Sequence, residues 1–121
     1  MKKTKLIFGK EKLTVLEKTS VSIFYYIDIV GFFCEHPYLM IVTTNKDKKL
    51  IFYSLKEIKQ LLPLPFVMCS RSAIINITHV VQLKTQNSNC FVYLNNGQKI
   101  LISRRKKNDI MEKIKRISTG L

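Results

Sequence analysis

The chain has no tryptophan, four glycines, three prolines, three cysteines and only eight acidic residues among 121. Each shortage removes a class of chemistry. The glycines are isolated, so neither a phosphate-cradling loop nor a dinucleotide-binding turn can be assembled. The five carboxylates between residues 13 and 103 are scattered, with no spacing that suggests an acid–base pair or a hard-metal cage. Cys34, Cys69 and Cys90 are odd in number and form no C-x-x-C pair. With no secretory leader pattern, a reduced, cytoplasmic setting is expected. A zinc site drawn from these thiols with His36 and His79 has no supporting spacing, so neither metal nor cofactor is expected. A Cys69–His79 thiol–imidazole pair would lack an orienting third group, and no enzyme is expected. The apolar region from Val21 to Val42 is broken by Asp28, Glu35, His36 and Pro37. It falls short of the roughly 18 uncharged residues that a membrane span requires.

Positive charge is abundant: 21 Lys and Arg give a formal net charge of +13. Residues 1–12 carry five basic side chains and one acidic, and residues 104–116 carry seven and two. The two ends are therefore the electropositive parts. Such a balance points to nucleic acid, an anionic membrane surface or an acidic protein. At this length, with 46% apolar residues, one domain with its own core is expected.

Most of the chain has strand character. The runs "KLIFG", "KLTVLEK", "SVSIFYYI", "DIVGFFC", "YLMIVTT", "KLIFYS", "HVVQLKT", "CFVYLN" and "QKILIS" are rich in β-branched and aromatic residues. Asn95-Asn96-Gly97 predicts a hairpin between the last two. Two helices interrupt the pattern. "SLKEIKQLL" has Ser54 and Glu57 at capping-box spacing, and Pro63 and Pro65 end it. The C-terminal segment has Ser103 as its candidate cap and Ile110, Met111, Ile114 and Ile117 as one apolar stripe. Arg105, Glu112 and Arg116 then fall on the opposite face. Four consecutive cations, Arg104 to Lys107, would stand in the first turn, where a helix dipole repels positive charge. The expected fold class is mainly β with short helices (α+β) and a C-terminal helix.

Ser70-Arg71-Ser72 and Ser103-Arg104-Arg105 both place guanidinium and hydroxyl groups where an element ends, chemistry suited to phosphate oxygens. Plainer readings are available. Arg71 has Glu57 or Glu35 as possible partners, and Arg105 has Asp109 four residues on. Nucleic-acid binding is the leading expectation. The alternative is a basic protein-interaction module that binds an acidic partner without DNA specificity. RNA binding through Tyr25, Tyr26, Phe32 and Phe33 as stacking platforms is a third.

The order of segments resembles the LytTR family of bacterial DNA-binding domains. Asp28-Ile29 and Tyr38 bound the first family block, and Ser54-Leu55-Lys56-Glu57-Ile58 matches the second. Leu64-Pro65-Phe66, Arg71-Ser72 and Asn76 match the third; Asn96-Gly97 and Ser103-Arg104-Arg105 match the last two. Met68 and Ser70 stand where the family usually has arginine and histidine, and Pro37 replaces an asparagine. Gly31-Phe32-Phe33 likewise departs from the family's aromatic-Ile-Glu. The resemblance implies an elongated antiparallel β-sheet architecture spanning residues 20–121. Residues 1–19 form a basic strand segment belonging to the same domain.

It also implies a transcription regulator, response regulator-like, that inserts loops into successive major grooves. Carried over by position, Arg71 and Arg105 would contact bases, and His36 would lie in the loop of a third contact. Ser70, Ser72, Asn76, Ser103, Arg104 and Lys106 would be phosphate contacts or supports. The implied partner is double-stranded DNA bearing paired repeats, with two copies bound and no small-molecule substrate. Strands begin by about Lys5, leaving no room for the usual preceding sensor domain. The chain is then a stand-alone regulator or an excised domain, and a membrane-bound or sensor protein would bring the signal.

Overall fold

The computed structural model describes residues 2–119. Eleven strands among these residues pair only antiparallel, in three sheets. The first sheet has the order β1-β2-β3, from β1 (Lys5–Phe8), β2 (Lys12–Leu16) and β3 (Val21–Tyr25). The central sheet contains β4 (Ile29–Glu35), β5 (Tyr38–Thr43), β6 (Lys48–Ile51), β7 (Phe66–Ser70) and β8 (Ala73–Asn76). Its order is β6-β5-β4-β8-β7. The third sheet, β11-β10-β9, is built from β9 (Val80–Gln86), β10 (Asn89–Leu94) and β11 (Lys99–Ile102).

The central sheet is covered on both faces because its side chains alternate. Phe32, Leu39, Ile41, Phe66 and Ile74 point to a core shared with Leu13 and Val15 of β2. The helix α1 (Leu55–Leu61) adds Leu55 and Ile58 to that core. Phe33, Val42, Val67, Cys69, Ala73 and Ile75 point the other way. They meet Cys90, Val92 and Ile102 of the third sheet, and Ile110 of the helix α2 (Lys107–Thr119). A register shift between Ile29 and Gly31 reverses the alternation, which is how Ile29 and Phe32 reach the same core. Gly31 itself lies where a Cβ would come within 2.6 Å of the Ile74 carbonyl oxygen.

Local chemistry ends the elements as expected at most points. Ser54 Oγ accepts from Glu57 N at 3.1 Å at the start of α1. Gly97, with φ of 92°, turns the chain between β10 and β11. Residues 3–17 are tied to the central sheet and α1 through the core side chains of β2, the Thr4–Phe52 backbone bond and two ion pairs. Those pairs are Lys3 with Glu57 and Lys49 with Glu17.

The C-terminal helix departs from expectation at its start. The Ser103 side chain makes no capping bond, and a 3-10 turn over Arg104–Lys106 precedes the helix proper. Ser103 instead donates its backbone N–H to Cys69 O at 2.9 Å and accepts from Lys106 N at 3.0 Å. Three of the four cations thus stand ahead of the helix, while Asp109 occupies its first turn, where the dipole favours an anion. The isoleucines of the stripe behave as expected: Ile110 is buried, and Ile114 and Ile117 pack on the same core, while Met111 is half-buried.

Candidate nucleic-acid interface

Three connections emerge together at one end of the central sheet. His36–Pro37 joins β4 to β5 in a tight turn with a cis peptide bond. Arg71–Ser72 joins β7 to β8. These turns are neighbours because β4 and β8 pair with Phe33 opposite Ala73. Cys34 N also donates to Ser72 O at 2.9 Å. The third connection, from β11 into the 3-10 turn, is drawn alongside by the Ser103–Cys69 bond to β7. Residues far apart in sequence thus share a surface held by backbone hydrogen bonds.

The serines flanking Arg71 shape its turn. Ser72 N donates to Ser70 Oγ at 3.2 Å, and the two hydroxyls lie 3.2 Å apart. The Arg71 carbonyl accepts a weak bond from Cys34 Sγ at 3.8 Å. Partial burial pushes the Cys34 thiol above its ordinary value, so this neighbour stays neutral. The guanidinium of Arg71 is exposed, as is that of Arg105. Among the described residues, neither lies within ion-pair distance of a carboxylate. The plainer pairings are not formed: Glu57 is held by Lys3 and Ser54, and Asp109 binds Lys113 at 2.9 Å.

Ser70, Arg71, Ser72, Ser103, Arg105 and Lys106 line one depression of about 490 Å³. His36 does not join it. It lines an adjoining depression of about 570 Å³, together with Arg71, Lys3 and Lys56. Arg71 is common to both and stands on the ridge between them. Nothing local in the sequence marks Lys3 or Lys56 for this surface; the signal for Lys3 is its place in the basic N-terminal run. Arg104 is exposed but lines neither depression.

Asn76 lies elsewhere. It is 1% exposed, and its amide donates to Tyr26 O at 3.1 Å and Ile29 O at 3.0 Å. Its Oδ1 accepts from Thr78 N and Thr78 Oγ1. With its donors and acceptor committed inside the fold, it is a support and offers nothing to a phosphate. The proposed stacking platforms fail for the same reason: Tyr26, Phe32 and Phe33 are buried, leaving only Tyr25 exposed. Among the described residues no three His, Cys, Asp or Glu side chains converge to hold a metal ion. Among the described residues no helix is long and apolar enough to cross a membrane.

Comparison with known proteins gives this arrangement a context. The family model of the LytTr DNA-binding domain matches residues 21–115. No curated protein matches the chain. Among solved structures it is similar to the LytTr DNA-binding domain of a protein described as a methyl-accepting/DNA response regulator from Bacillus cereus. That match has a TM-score of 0.74 and 19% identity, and it covers 88% of this chain and 98% of that one. At this identity the likeness is one of fold, whereas the family match spans most of the sequence. The chain belongs to the LytTR family of DNA-binding domains.

Proposed function

We infer that the protein is a sequence-specific double-stranded DNA-binding transcription regulator that enters major grooves with turns rather than with a recognition helix. One observation carries this reading. The turn bearing Arg71 and the segment bearing Arg105 line a single depression at one end of the central sheet, and among the described residues no carboxylate neutralises either guanidinium. An arginine bidentate to guanine contributes about 1–3 kcal/mol of discrimination. Arg71 and Arg105 are the proposed base readers, and His36, on the far side of Arg71, is the third contact. Ser70, Ser72, Ser103, Arg104 and Lys106 would bind phosphate oxygens and set the register. Two copies on paired repeats, and a sensor or membrane-bound protein that relays the signal, complete the proposal.

Selection of bound duplexes from a random pool, followed by sequencing, tests it. A recurrent motif is expected, and Arg71→Ala or Arg105→Ala should flatten the preference for that motif over scrambled DNA. An Arg71→Ala variant that kept its full preference would remove Arg71 from the base-reading role.

A further inference from the structure

A second exposed surface has different chemistry. The register of the first sheet aligns Lys5, Leu16 and Val21 in one row, and Ile7, Thr14 and Ile23 in the next. Lys12 and Tyr25 form a third row. Ile7, Val21, Ile23 and Tyr25 are 53%, 62%, 50% and 49% exposed, so the outer face of this sheet has an apolar centre without a covering layer. Contiguous apolar exposure of this kind on a small protein marks an interaction site. The adjoining edge is open as well. β3 pairs only with β2, and among the described residues its far side makes no backbone hydrogen bond.

The rim of the face is basic. Lys5 and Lys12 lie on the face itself, and Lys10 and Lys18 lie in the turns beside it. The carboxylate of Glu17 is taken by Lys49 and Ser20, which leaves Glu11 as the local counter-charge. A second copy of the chain would bring the same lysines and another +13 against this surface. A lipid bilayer would cover the apolar centre but would leave the amides and carbonyls of the β3 edge unpaired in a medium without water. An added strand satisfies that edge, and acidic residues flanking its apolar positions meet the lysines.

We propose that the outer face and free edge of β1–β3 dock an acidic protein segment carrying alternate apolar residues, added as a strand beside β3. This surface is distinct from the Arg71–Arg105 end, so DNA and the segment can be bound together.

Selection from a random displayed-peptide library against the full chain is the test, with Ile23→Glu and Arg71→Ala variants as comparators. Half exposed on an outer strand, Ile23 tolerates a charge, and an unchanged thermal melt together with retained duplex binding checks the fold. The expected result is enrichment of peptides that combine acidic and apolar residues. Their affinity should fall at least about tenfold on Ile23→Glu and be unchanged on Arg71→Ala. Failure to enrich, or peptides that bind Ile23→Glu as well as the parent, would overturn the proposal. So would an Ile23-dependent dimer in sedimentation, or Ile23-dependent binding to phosphatidylglycerol-containing vesicles in place of peptide. A parent chain that selects such peptides but shows no preference for any duplex sequence would refute the regulator reading alone.

Discussion

The Arg71–Arg105 end and the outer face of the first sheet are both exposed, but their side chains are held differently. At the first, the exposed groups sit on turns, and rigidity comes from backbone bonds such as Cys34 to Ser72 and Ser103 to Cys69. At the second, the exposed groups sit on strands, and their positions follow directly from the pleat. Long cations on short, tied turns can reach into a groove while their backbone stays fixed. Apolar side chains on a flat sheet cannot reach, but they present area. One polymer thus offers a surface suited to polyanion recognition and a separate one suited to an extended peptide strand.

Substitutions in the shared scaffold should damage both surfaces at once. Gly31→Ala would drive a Cβ against the Ile74 carbonyl at the centre of the sheet. Destabilisation of about 3 kcal/mol in chemical denaturation is expected. Asn76→Ala should cost about 2 kcal/mol, because the carbonyls of Tyr26 and Ile29 lose their donor. Duplex affinity measured well below the melting temperature should survive Asn76→Ala, which separates a support from a contact.

Lys106→Ala should act on one surface alone. Binding to a selected site and to scrambled DNA should weaken equally, with the salt slope reduced by about one. Unequal weakening would make Lys106 a base reader.

Acid should loosen the first sheet before the central one. Lys49 holds the Glu17 carboxyl below the ordinary value, and Lys3 does the same for Glu57. A folded-state value below the unfolded one gives stabilisation that is present above the unfolded value and lost as pH falls through the folded one. Hydrogen exchange in β1–β3 should therefore accelerate, relative to β4 and β8, below about pH 4. Replacing Lys3 and Lys49 by alanine should abolish that difference.

The smallest effect expected is on thiol labelling. Cys34 is exposed beneath the Arg71 turn, whereas burial pushes Cys69 up to about 12. A maleimide should label Cys34 in the folded protein and leave Cys69 unlabelled until denaturant is added. Equal labelling would mean that the core of β7 opens readily.

Much of the secondary structure was legible because it depends on neighbours in sequence. The strand runs, the Ser54 cap, the proline stop after α1 and the Gly97 turn all follow from local propensity. Failures came where local signals were weak or shared. In "FVMCSRSAIINITHV" the arginine between two serines after a proline-rich break suggests a loop or a single helical turn, but the stretch is a hairpin whose turn is Arg71–Ser72, without the glycine or asparagine that usually marks one. Ser103 had the identity and position of a helix cap, yet its backbone went to β7 instead.

Composition and local pattern were enough to establish a basic, mostly β domain with two short helices and two serine–arginine segments, Ser70-Arg71-Ser72 and Ser103-Arg104-Arg105. They could not say that those segments meet. That depended on β4 pairing with β8 and on Ser103 binding β7, contacts whose stability comes from two cores assembled out of the whole chain. They could not distinguish Asn76 from Arg71 either, since both are polar residues in one short stretch. Burial separated them: one amide is satisfied by the carbonyls around it, and one guanidinium is left exposed with no carboxylate partner among the described residues.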